Sequence, residues 1–185
     1  MRGRLPSGGA AINHSNKRLN EIAQANIARM VAPLDDPVMA GFVEQLDFIN
    51  SVADQSPGFI WRLQTEEGDA TAIRAFEDER ILFNMSVWES LEALHEYVYR
   101  SAHLEPLRNR HTWFERMEQS HLVLWWVQAG HRPTVIEAKR RLALLAMLGP
   151  TARAFTFREP FSPVGDPIDT TLGADWIGCD ASKSK

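Results

Sequence analysis

The run Leu122-Val123-Leu124-Trp125-Trp126-Val127 constrains this chain more than any other feature. Successive side chains of a strand point to opposite faces. Val123, Trp125 and Val127 would therefore fill one face, and Leu122, Leu124 and Trp126 the other. A sheet containing such a strand must be covered on both sides. The chain has the means: 44% of its 185 residues are apolar and 24% charged, the proportions of an ordinary globular domain with a real core.

The remaining periodicities give the order β-α-β-β-α-(α)-β-α-β. Ile22 to Met30 reads as the first strand. Asp36-Pro37 opens a helix, with the aspartate as cap and proline at the first helical position. Met39, Phe42, Leu46, Ile49 and Ala53 recur along one helical face until Pro57-Gly58 stops it. Phe59 to Gln64 is a second strand, Ile73 to Phe76 extends the sheet, and Ile81 to Trp88 is a third long strand. Ser90 and Ser101 cap two short helices. After the strand Leu122 to Gln128, Thr134 and Glu137 form a capping-box signature for a helix bearing Val135, Ala138, Leu142 and Leu145. Arg153 to Phe157 is a last short strand.

This order predicts an α+β fold of the ferredoxin-like, split βαβ kind with an antiparallel sheet. Its helices cover one face. A partner subunit is the simplest cover for the other, which makes the expected assembly a homodimeric α+β barrel. The alternative is a monomer whose last helix folds over that face. Residues 1–20 and 159–185 read as tails, rich in Gly, Ser and Pro, with the folded unit at 21–158.

Net charge is -4, which gives no general attraction for nucleic acid or an anionic membrane. No apolar run approaches the about 20 residues of a membrane span. The single cysteine, Cys179, excludes an intramolecular disulfide and a cysteine-based zinc site. Cytoplasmic localisation is the expectation. No metal site is expected: His95-Glu96 lacks a second histidine one turn on, and His111 with Glu115 makes only two ligands.

Several stretches carry a resemblance: Asn26-Ile27-Ala28-Arg29, Pro33-Leu34-Asp35-Asp36-Pro37, Phe59-Ile60-Trp61-Arg62, Asn84 to Ser90, Tyr99-Arg100-Ser101-Ala102-His103, and Gly130-His131-Arg132-Pro133. With them the chain resembles a bacterial domain-of-unknown-function family of the dimeric α+β-barrel superfamily. That superfamily includes antibiotic-biosynthesis monooxygenases and haem-degrading monooxygenases. The resemblance implies a fold and relatives rather than a reaction. In the haem-degrading relatives a first-strand asparagine, a later-strand tryptophan and a helical histidine form the site. Asn26, Trp88 and His103 match them here, with His95 competing for the histidine role.

The residues themselves point to the same region. On the third strand Leu82, Asn84, Ser86 and Trp88 share a face, and on the first Gln24, Asn26 and Ala28 do. Polar side chains in mid-strand either satisfy one another or line a pocket. The expected catalytic set is His103, Asn26, Asn84 and Trp88, with Ser86 and Trp61 contacting substrate. Three readings follow: a cofactor-independent oxygenase acting on a small aromatic or apolar molecule, a haem-binding protein, and a non-catalytic dimeric binding module.

Overall fold

The structure, a computed structural model, describes residues 19–66, 68–100, 110–117 and 121–168. Four strands form one sheet: β1 (Asn20–Arg29), β2 (Phe59–Arg62), β3 (Ile81–Trp88) and β4 (Leu122–Gln128). Their order is β2-β3-β1-β4, and every pairing is antiparallel. The described helices are α1 (Ala40–Val43), α2 (Leu46–Gln55), α3 (Leu91–Arg100), α4 (Arg110–Trp113) and α5 (Val135–Leu148). Helices between β1 and β2 and between β3 and β4, with β1 and β3 central, make the fold ferredoxin-like.

Local chemistry sets the element ends. The Asp36 carboxylate accepts from the Val38 amide at 2.9 Å, with Pro37 next in line. The helix it opens is broken: a 3-10 turn at Pro37–Met39, then α1, then α2. Ser90 accepts from the Ala93 amide at 3.1 Å at the start of α3. Gly58 turns the chain from α2 into β2 with φ of 79°, and a β-carbon there would lie 2.6 Å from that of Ala93. Only glycine satisfies both the backbone angle and the approach of α3.

Cross-strand partners in an antiparallel pair lie on the same side, so the register sorts the two faces. One face carries Ile22, Gln24, Asn26 and Ala28 of β1 opposite Trp88, Ser86, Asn84 and Leu82 of β3. At one end of it Ile22, Trp88 and Leu124 pack under Leu91 and Leu94 of α3 and under Phe155 and Phe157. At the other end Met30 and Leu82 pack with Met39, Phe42 and Trp113.

The second face carries Ala23, Ala25, Phe83, Met85, Val87, Val123, Trp125 and Val127, all buried. It is covered by the chain itself. Ala138, Leu142 and Leu145 of α5 lie against it, together with Ala75 and Ala154. The argument that this face needs a partner subunit is therefore corrected: the last helix is the cover. The Trp125 indole N–H donates to the Glu137 carboxylate at 3.0 Å, tying the first turn of α5 to the sheet.

Three further expectations change. Ile73 to Phe76 adds no strand but packs as an irregular segment under α5, where Lys139 Nζ donates to the Ala75 carbonyl at 2.7 Å. The last strand reduces to a bridge, with Phe155 and Leu124 exchanging backbone hydrogen bonds of 2.8 and 2.9 Å. The folded unit does not stop at 158. Phe161 and Ile168 pack beside Trp126, whose indole N–H donates to the Phe161 carbonyl at 2.6 Å. Apolar residues spaced without a period left no helix or strand signal there. Among the described residues, no helix is long and apolar enough to cross a membrane.

Candidate functional site

The first sheet face resolves into four rows across β1 and β3. Ile22 and Trp88 form a buried apolar row. Gln24 and Ser86 form a buried polar row, 8% and 5% exposed. Asn26 and Asn84 form the third, the first half-buried and the second exposed. Ala28 and Leu82 close the series. The asparagine row thus sits between the cluster under α3 and the cluster around Phe42 and Trp113.

The two polar rows differ in kind. Ser86 Oγ lies 3.0 Å from the Gln24 side-chain amide and 2.8 Å from Trp88 Nε1, a buried network that ties β1 to β3. Among the described residues, neither the Asn26 nor the Asn84 carboxamide makes a hydrogen bond. Each retains its donors and acceptor for something else. No charged side chain occurs in the four rows.

Asn26, Asn84, Ser86 and Trp88 thus share one face, but not one accessible surface. Trp88 is fully buried, stacked on Tyr97 at 4.8 Å and edge-on to Phe59 at 5.3 Å, with its N–H held by Ser86. It closes one end of the strip and, fully buried, offers no accessible ring face to a ligand. The Ser86 hydroxyl is engaged by both neighbours and acts on the strip through Gln24.

Trp61 is elsewhere. A register shift between Phe59 and Trp61 pairs Phe59 with Trp88 but Trp61 with Val87. Regular alternation would give Phe59 and Trp61 the same face; the bulge turns Trp61 to the side under α5. The expected substrate contact by Trp61 is corrected to core packing. Sequence periodicity has no signal for a single-residue bulge.

His103 lies outside the described residues. His95, its competitor, is 6% exposed and packed against Tyr99 at 4.6 Å and Phe157 at 5.6 Å between ring centroids. Tyr99 and Phe157 also touch each other, 5.5 Å between centroids, so His95 belongs to a packed aromatic cluster. No group of three or more metal-ligating side chains occurs among the described residues.

A depression of about 440 Å³ lies away from these rows, between Ser56–Gly58 and α3, edged by Glu89, Glu92, Glu96 and Arg100. Tyr97 forms part of its wall. Burial pushes the Tyr97 phenol up to about 12, opposed by the nearby Arg62 and assisted by Asp54. Those two form a bidentate pair at 2.8 and 3.2 Å.

Fold and site together define a ferredoxin-like α+β domain whose sheet carries, between two apolar clusters, a carboxamide row without hydrogen-bond partners among the described residues. The chain belongs to the family described as a domain of unknown function, DUF3291, whose model matches residues 21–170. None of the curated proteins compared with it matches the sequence. Among solved structures it is similar to SnoaB, a cofactor-independent oxygenase from Streptomyces nogalater, at 13% identity and a TM-score of 0.38, covering 62% of this chain and 96% of that one. It is also similar to a protein of unknown function from Nitrosomonas europaea, at 9% identity and a TM-score of 0.39, covering 63% of this chain and 95% of that one.

Proposed function

We propose that this domain binds a small, uncharged aromatic molecule on the asparagine row of its sheet and presents it to dioxygen. The observation that carries the reading is the contrast between the rows. Gln24, Ser86 and Trp88 are joined in one hydrogen-bonded network, while Asn26 and Asn84, one row on, have no partner among the described residues. Neutral amides in the middle of a sheet contribute nothing to stability unless they are paired. Flanked by apolar clusters, they have the composition of a small-molecule site: an apolar body with a few convergent polar groups.

In the oxygenase form of the proposal the substrate supplies the electrons. A methylene of an electron-rich ring system loses two hydrogens and gains one oxygen atom from dioxygen, and the other oxygen leaves as water. No cofactor enters that balance. The carboxamides orient the substrate through its oxygen and stabilise charge as it develops there. His103 is proposed as the proton relay. We place the protein in the cytoplasm on the cysteine content alone. With the second face covered by α5, we propose that the single chain binds its ligand, and any pairing of two copies would use a different surface.

The test is an absorption spectrum of the purified protein followed by oxygen uptake with a panel of phenols and hydroquinones. The expected result is a spectrum without a Soret band and oxygen uptake above the uncatalysed rate for at least one compound, lost in His103→Ala. A Soret band that disappears in His103→Ala would replace this reading with the haem one. Binding without oxygen uptake would leave a non-catalytic binding module.

A further inference from the structure

We infer that Gln24 is a ligand-reading residue, its amide N–H group directed to the acceptor oxygen of an aromatic ketone. The inference rests on the asparagine row being the ligand site and deepens it by naming a third contact and the chemical class it selects. The argument begins at Ser86. Its hydroxyl oxygen is 2.8 Å from Trp88 Nε1, and an indole nitrogen can only donate. It is also 3.0 Å from the end of the Gln24 carboxamide.

Two orientations of that carboxamide occupy the same heavy-atom positions, with oxygen and nitrogen exchanged. If nitrogen faces Ser86, the hydroxyl receives two donors and its own proton has no acceptor among the described residues. Ser86 is 5% exposed, so water is a poor substitute. If oxygen faces Ser86, the order becomes Trp88 N–H to Ser86 oxygen, then Ser86 O–H to Gln24 oxygen. Every group in that chain is satisfied, and each bond polarises the next in the same sense.

The second orientation leaves the Gln24 NH2 at the atom position for which the structure gives no partner. Gln24 as a residue is 8% exposed, yet its atom facing away from Ser86 is not among the fully buried unpartnered polar atoms of the described residues, so what remains accessible includes the end that would carry the unused donors. It lies two residues from Asn26 on the same strand face, about 7 Å along the strand, and diagonally across from Asn84. A donor that is accessible at the sheet face but only partly hydrated gains from an acceptor held in front of it. An acceptor-only oxygen on a flat apolar body would satisfy the Gln24 donor and use the Asn26 and Asn84 amides beside it. A ligand lacking that oxygen would leave the donor stranded, and this is how such a site discriminates.

The orientation is read in the ligand-free protein by NMR. The expected result is no nuclear Overhauser effect between the Gln24 Nε2 protons and the Ser86 β-protons or the Trp88 Hε1 proton. Strong effects to both would overturn the proposal, because the amide would then be committed to Ser86. The recognition is read with 9-fluorenone and fluorene, two flat molecules differing by one carbonyl oxygen. The wild-type protein is expected to prefer fluorenone by about tenfold, with the Gln24 NH2 resonances shifting on binding. Gln24→Leu should abolish the preference while fluorene binding persists. A variant that keeps the full preference would overturn the role of Gln24 even if Asn26→Leu and Asn84→Leu abolish it. If neither compound binds, the reading of the asparagine row as a ligand site fails, while the Overhauser measurement still decides the Gln24 orientation.

Discussion

Asn26 and Asn84 face one another across the two central strands as partners in register, one row beyond a Gln24–Ser86 pair whose side chains are joined at 3.0 Å. Identical backbone placement has given one pair a structural bond and the other none. Asn84→Leu should therefore change stability by less than about 0.5 kcal/mol, since it breaks no bond and fills an exposed position. Binding of an oxygen-bearing aromatic probe should weaken about tenfold. Calorimetry and fluorescence titration on one sample check both.

Ser86→Ala should do the reverse. It leaves the buried Trp88 N–H and the Gln24 amide without their shared partner, at a cost of about 1–3 kcal/mol. Chemical denaturation should show a lower midpoint with an unchanged slope. Tryptophan emission should also move, because the Trp88 N–H loses its acceptor.

The chain has two tyrosines, Tyr97 and Tyr99. Burial raises the Tyr97 phenol from 10.0 to about 12. The raised value means that the folded state holds its proton after the unfolded state has lost it. The stabilisation is full below pH 10 and fades as pH climbs from about 10 to about 12, by on the order of 2–3 kcal/mol. Tyrosinate absorbance should show Tyr97 titrating near 12, and Tyr97→Phe should flatten the alkaline loss of stability.

Gly58→Ala combines a positive φ with a β-carbon placed 2.6 Å from that of Ala93. Strain and overpacking together should cost on the order of 2–4 kcal/mol. In the double variant with Ala93→Gly the contact is relieved and part of the loss should return. Full additivity of the two changes would show that the contact contributes nothing.

α5 carries the burden that a partner subunit was expected to bear. Leu142 is 7% exposed against the second sheet face. Leu142→Ala should cost about 2–4 kcal/mol. Light scattering should give the mass of a single chain, 20.9 kDa, for wild type and variant alike. A dimer mass unaffected by loosening α5 would place the interface away from this face.

Much of this is legible in the sequence. Leu122 to Val127 announced a strand buried on both faces because its alternation is apolar in both phases. Thr134 announced the start of α5, and its hydroxyl does accept from the Glu137 amide at 3.2 Å. Alternation also put Asn84, Ser86 and Trp88 on one face, since a strand's period of two is fixed by its backbone. The sequence by itself determined the elements, their order and which side chains share a strand face, because those depend on near neighbours in the chain. Only the tertiary structure decided what covers each face. It brought α5, rather than a second chain, onto Trp125. It inserted the irregularity that turned Trp61 away and docked Phe161 and Ile168 beside Trp126. It also settled which polar row is bonded and which is not: Gln24 and Ser86 lie 62 residues apart, and a hydrogen bond over that separation exists only once β1 and β3 are in register.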